Sequence, residues 1–139
     1  MRIMAIDYGD AHTGVAVSDP TGFLTGDVTT IHSRKAEVVL EELVKLVQTY
    51  QVDELVMGFP RNMDGTEGPR AELYRTFAGR VEEATGLKPV LWDERRTTVD
   101  AHRILFDAGK NGKKRTKTVD AVAASLILEG YLAFRRMRG

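Results

Sequence analysis

Ile3-Met4-Ala5-Ile6-Asp7-Tyr8-Gly9 runs four apolar residues into an acid, with a glycine two residues beyond it. An apolar run within Arg2–Asp7 signals a buried strand that stops at an acid, and Gly9 lets the backbone turn. After a turn from Gly9 to His12, Thr13-Gly14-Val15-Ala16-Val17-Ser18 reads as a second strand. Asp19-Pro20-Thr21-Gly22 reads as the next turn and Val28-Thr29-Thr30-Ile31 as a third strand. Connections this short predict hairpins, so these three strands should run antiparallel.

The period then changes. Between Ala36 and Tyr50 the apolar residues Val39, Leu40, Leu43, Val44, Leu46 and Val47 recur at helical spacing, with Ser33 as a candidate N-cap. Glu54-Leu55-Val56-Met57 predicts a strand ending at Gly58, and a polar loop from Pro60 to Gly68 follows. Pro69 suits the first position of a helix to about Thr85, which Gly86 stops. Lys88 to Trp92 predicts the fifth strand, Thr97 or Thr98 caps a helix through Phe106, and Thr118 caps a last helix reaching Arg136. Asp107–Lys117, with Gly109, Gly112 and several Lys and Arg, predicts a mobile loop. Strands separated by helices need crossovers, which favour parallel pairing. The expected architecture is α/β: a mixed five-stranded sheet, three antiparallel strands followed by parallel βα units, with helices on both faces.

The length of 139 residues suits one domain over 1–139. Lys+Arg equals Asp+Glu at 20 each, so any pull on nucleic acid must come from local clustering. Cys is absent, which excludes disulfides, thiolate zinc sites and cysteine nucleophiles and is compatible with a cytoplasmic setting. The N-terminal apolar run is too short for a signal sequence, and no stretch approaches a membrane span, so no membrane partner is expected.

Chemistry is carried by acids at the ends of elements. Asp7 ends the first strand, where functional groups of α/β sheets collect. Asp93 and Glu94 end the fifth. Successive strand residues point to opposite faces, so one of the two should face the site. Glu94 is preferred, although alternation alone leaves Asp93 open. Asp120 falls two residues after Thr118, and the small residues that follow, Ala121, Ala123 and Ala124, would let this helix lie close to the sheet. Each acid alone also reads as a turn or dipole partner. Together, Asp7, Glu94 and Asp120 form an oxygen-only set that suits Mg²⁺ or Mn²⁺, in a two-metal site able to hydrolyse a phosphodiester.

Basic and polar groups accompany the acids. Lys110, Lys113, Lys114, Arg115 and Lys117 precede Asp120, and Arg95 and Arg96 follow Glu94. Arg61, Asn62 and Thr66 lie in the polar loop. Lys113, Lys114, Arg115, Arg61, Asn62 and Arg95 are the candidate substrate contacts, since phosphates need cations or N–H donors. His12, His32 and His102 are scattered at no metal-ligand spacing, and His12 reads as a polar turn residue.

These residues together resemble the RuvX/YqgF family, a branch of the ribonuclease H-like nucleases related to RuvC resolvases. The resemblance covers nearly the whole chain. It rests on Asp7-x-Gly9 with Gly14-Val15-Ala16-Val17-Ser18-Asp19, on the loop Val56-Met57-Gly58-Phe59-Pro60-Arg61-Asn62-Met63-Asp64-Gly65-Thr66-Glu67-Gly68, on Asp93-Glu94-Arg95 and on Asp120-Ala121-Val122-Ala123-Ala124. It implies a ribonuclease H-like fold and a divalent-metal nuclease with Asp7, Glu94 and Asp120 as metal ligands. The implied substrate is the precursor of 16S ribosomal RNA, trimmed at its 5′ end, or a Holliday junction. Arg96-Thr97-Thr98 departs from the family's apolar residue then Ser-Thr. The implied partner is structured RNA or branched or single-stranded DNA, met by a monomer or a homodimer.

Two other functions fit parts of the sequence. Asp-x-Gly followed by Gly-Val-Ala-Val-Ser is similar to the phosphate-binding start of actin-like ATPases and sugar kinases, which need a second copy of the fold. A non-catalytic nucleic-acid-binding module would retain the fold without the chemistry.

Overall fold

The computed structural model describes residues 1–60, 66–93 and 112–138, with backbone alone for 112–121 and 138. Five strands form one sheet: β1 (Ile3–Asp7), β2 (His12–Ser18), β3 (Thr25–His32), β4 (Glu54–Phe59) and β5 (Val90–Asp93). Three helices are α1 (Ala36–Tyr50), α2 (Arg70–Thr85) and α3 (Gly112–Arg138). The order across the sheet is β3-β2-β1-β4-β5. β1 pairs antiparallel with β2, and β2 with β3; β4 pairs parallel with β1, and β5 with β4. The expected meander followed by parallel βα units is what forms.

Burial explains the order. Ile3, Met4, Ala5 and Ile6 are all fully buried, as are Leu55, Val56 and Met57 in β4, so β1 and β4 are apolar on both faces and lie inside the sheet. β3 is largely exposed and β5 leaves Val90 and Leu91 partly in water, which suits edge strands.

Side-chain alternation then divides two cores. Met4, Ile6, Val15, Val17, Leu55, Met57 and Phe59 point to one face and pack against Val39 and Leu43 of α1 and Ala71, Tyr74, Phe77 and Val81 of α2. Ile3, Ala5, Ala16, Val56 and Trp92 point to the other and pack against Ala124, Ile127, Leu128, Tyr131 and Leu132 of α3. Ala5, Ala16 and Ala124 are the small residues of this second core, and Gly130 sits so close to Trp92 that a Cβ would lie 3.3 Å from its Cζ2. Small contacts bring a helix axis near a sheet.

Helix ends differ from expectation in three places. Lys35, not Ser33, is the N-cap of α1; the Ser33 hydroxyl instead accepts from the Lys35 N–H at 3.1 Å. Pro69 is the N-cap of α2 rather than its first helical residue, and Gly86 stops the helix with φ of 79° as expected. α3 starts at Gly112, so Thr118 does not cap it, and residues 112–117 of the expected mobile loop are helical. Lys and Arg are good helix formers, and Lys113, Lys114, Arg115 and Lys117 favour extension of the helix toward Gly112. The expected helix ending at Phe106 lies outside the described residues. Among the described residues no helix is long and apolar enough to cross a membrane.

Candidate active site at the carboxyl edge of the sheet

The three parallel strands β1, β4 and β5 all end at one edge of the sheet. Ile6 pairs with Met57, and Met57 with Leu91, so Asp7 comes level with Gly58 and Trp92 one residue further on. Alternation puts Asp7 on the face of Ile3 and Ala5, the face covered by α3. Trp92 is on that face too, and Asp93 is on the opposite one. Across the β1–β2 ladder Asp7 meets Gly14, which has no side chain to cover the carboxylate. Asp7 is half-buried.

The loop after Asp7 is fixed by α2. Tyr8 stacks on Phe77 with ring centroids 3.8 Å apart and meets Tyr74 edge-on at 5.6 Å. The Tyr74 hydroxyl donates to the Tyr8 carbonyl at 2.6 Å. At Gly9 any Cβ would fall 2.4 Å from the His12 carbonyl oxygen, so the close turn admits only glycine. Arg70 pairs with Asp10 at 3.5 Å and lies over the Tyr74 ring at 5.6 Å. The Tyr74 hydroxyl, then the Asp10 carboxylate, hold the Arg70 guanidinium further above its ordinary value. No local pattern points to Tyr74 and Arg70 here, because they lie sixty or more residues from the loop residues they contact.

α3 is anchored at the opposite edge. The Tyr131 hydroxyl donates to the Glu54 carboxylate at 2.8 Å, and Arg135 pairs with the same carboxylate. Burial, with the Glu54 hydrogen bond second, pushes the Tyr131 hydroxyl above its usual value. Glu54 begins β4, so the last turns of α3 lie at the amino ends of the parallel strands.

Of the expected site residues, Asp7 is described in full. Asp120, Lys113, Lys114 and Arg115 belong to the helical backbone of α3. Asp120 is therefore well inside the helix and not in its first turn. Glu94, Arg61, Asn62 and Arg95 lie outside the described residues. Among the described residues no three His, Asp or Glu side chains are grouped to hold a metal ion. His12 is not a turn residue: it opens β2 and meets His32 of β3 at 2.9 Å between Nδ1 atoms. Two histidines that the sequence leaves scattered are thus partners. The signal that finds them is hairpin register, which links residues twenty apart.

The sheet order, the crossing helices and an acid ending the inner strand define an α/β protein of the ribonuclease H-like class. In fold the chain is similar to Thermus thermophilus RuvC in complex with Holliday junction substrate, with a TM-score of 0.63, 11% identity and coverage of 99% of this chain and 96% of that one. It is also similar to the fowlpox virus Holliday junction resolvase, with a TM-score of 0.62, 13% identity and coverage of 96% and 99%.

The chain belongs to the RuvX family, described as Holliday junction resolvase, which matches residues 1–134. It is 44% identical over 135 residues to a Carboxydothermus hydrogenoformans protein named "Putative pre-16S rRNA nuclease", covering 97% of this chain and 98% of that protein. A protein of the same name from Clostridium botulinum strain Eklund 17B is 46% identical over 132 residues, covering 95% and 96%.

Proposed function

We propose that this member of the RuvX family is a divalent-metal-dependent nuclease of the cytoplasm, a single domain over 1–139, that processes the 5′ end of the 16S rRNA precursor. The observation that carries the reading is Asp7: an acid at the carboxyl end of an inner strand, on the α3 face, followed by a loop pinned by α2. Asp7, Glu94 and Asp120 would hold Mg²⁺ or Mn²⁺, and the oxygen-only set fits those ions. Asp93 lies on the face opposite Asp7, which disfavours it as the ligand and leaves Glu94 as the candidate. Asp120 precedes buried Ala124 by one helical turn. Its eleven-residue separation from Tyr131 spans about 16 Å of helix, against about 13 Å of strand from Glu54 to Gly58. Since Tyr131 is bonded to Glu54 at the amino edge, that arithmetic supports Asp120 at the level of Asp7.

When bound, the ions supply a metal-activated water and stabilise the departing oxygen. The protein's own groups bind and orient the substrate. Lys113, Lys114 and Arg115 neutralise backbone phosphates, and Arg61, Asn62 and Arg95 complete the contacts. Tyr74 and Arg70 keep the Asp7 loop in register with the sheet.

The likeness in fold to RuvC favours a second substrate, the four-way DNA junction. Cutting both strands of a symmetric junction calls for a homodimer, whereas RNA trimming is open to a monomer. One experiment addresses both. The purified protein is offered a 5′-extended 16S precursor and a synthetic four-way junction with Mn²⁺. Asp7→Asn is expected to lose more than the roughly 10–100-fold that removal of an outer-sphere partner costs. Equal cutting by Asp7→Asn overturns the site. Metal-independent RNA binding without cleavage by the wild type establishes the non-catalytic module instead.

A further inference from the structure

The hairpin of β2 and β3 brings together two side chains that the nuclease reading does not use. His12 and His32 are directly opposite in the antiparallel ladder. The Ser33 N–H donates to the Ala11 carbonyl at 3.0 Å. That bond, one residue outside the pair, makes His12–His32 a non-hydrogen-bonded pair, the kind whose Cα atoms approach to about 4.5 Å and whose side chains meet. The imidazoles lie with ring centroids 4.9 Å apart and planes at 82°, and their Nδ1 atoms are 2.9 Å apart. One Nδ1 donates its proton to the lone pair of the other. Both residues are exposed, so the two nitrogens are open to ions in solution.

We propose that His12 and His32 form a two-imidazole site for a borderline divalent transition-metal ion such as Zn²⁺, separate from the oxygen pocket at Asp7. Two Zn–N bonds of about 2.0–2.1 Å at a tetrahedral angle hold their nitrogens about 3.3 Å apart. The pair therefore needs to open by only about 0.4 Å for a metal to replace the shared proton. Imidazole nitrogen suits Zn²⁺, Cu²⁺ and Ni²⁺ and is a poor ligand for Mg²⁺, so the two sites sort metals by ligand type. The remaining coordination positions are left to water or to a phosphate oxygen. Alternation puts His12 on the face of Ala16 and Gly14, and Gly14 is the cross-strand partner of Asp7. A metal here would sit beside the carboxyl edge and add positive charge on the same face.

The test is calorimetric titration of the full chain with ZnCl₂ in excess Mg²⁺, which occupies hard oxygen sites. The expected result is one zinc per chain. His12→Gln and His32→Gln, each verified as folded by circular dichroism, should weaken binding by at least about tenfold. His102→Gln and Asp7→Asn should bind as the wild type does. Histidine side-chain NMR adds a second readout: zinc should shift the ring resonances of His12 and His32 and leave those of His102 in place. No binding by the wild type up to millimolar zinc overturns the proposal. So does unchanged binding by either pair variant, or an equal loss in His102→Gln or Asp7→Asn. Zinc binding is read without any nuclease assay, so its outcome is independent of the function proposed above.

Discussion

Tyr74 shows how a single hydroxyl can serve a distant loop. It is 5% exposed, and its hydrogen bond to the Tyr8 carbonyl is its polar link to the segment carrying Asp7. Tyr74→Phe keeps the ring against Tyr8 and removes that bond, so chemical denaturation should show a loss of about 1 kcal/mol. Arg70→Ala offers a contrast. Its ion pair with Asp10 joins side chains that are 52% and 68% exposed. Solvent screening keeps such pairs within about 1 kcal/mol, so the same melts should show little change. A larger loss from Arg70→Ala than from Tyr74→Phe would reverse the ranking of the two restraints. At this scale the sequence marked Asp7 because an acid closing an apolar run is a local signal. It could not mark Tyr74, whose role exists only once α2 crosses β1.

The helices were legible where period and stop signals agree. α1 spans Ala36–Tyr50 as expected from its apolar spacing, and Gly86 ends α2 in a left-handed conformation. α3 ends at Arg138 rather than Arg136 and begins at Gly112 rather than at a Thr118 cap, because Gly and a charged run suggest a loop while Lys and Arg also favour a helix. α3 packs on the sheet through Ala124, Ile127, Leu128, Tyr131 and Leu132, and Gly130 lies close against Trp92. Gly130→Val adds atoms where none fit without moving the indole. It is expected to destabilise by about 1–3 kcal/mol and to shift Trp92 fluorescence. Unchanged stability and emission would mean that the helix does not lie this close. Trp92 is the single tryptophan of the chain, so the signal is unambiguous.

At the level of the whole molecule, one sheet separates two cores that share its strands. β1 feeds Met4 and Ile6 to one core and Ile3 and Ala5 to the other. Melting either core should therefore release both. Leu43→Ala, on the α1 side, and Ile127→Ala, on the α3 side, should each destabilise by about 2–5 kcal/mol. In both variants Trp92 fluorescence, reporting the α3 side, and far-ultraviolet circular dichroism should trace one coincident transition. Separate transitions would show that the two layers unfold independently and would end the single-domain reading.

The five strands, their mixed directions and the helical layers are legible in the chain alone, because burial period and turn chemistry are written in neighbouring residues. The chain alone also marks Asp7 as an acid at a strand end. Which face that acid shares emerges from the assembled sheet, since facing depends on register across strands. Register likewise joined His12 to His32 and Tyr74 to Tyr8. Such contacts between residues far apart in the chain form only when the sheet assembles, and no local pattern encodes them.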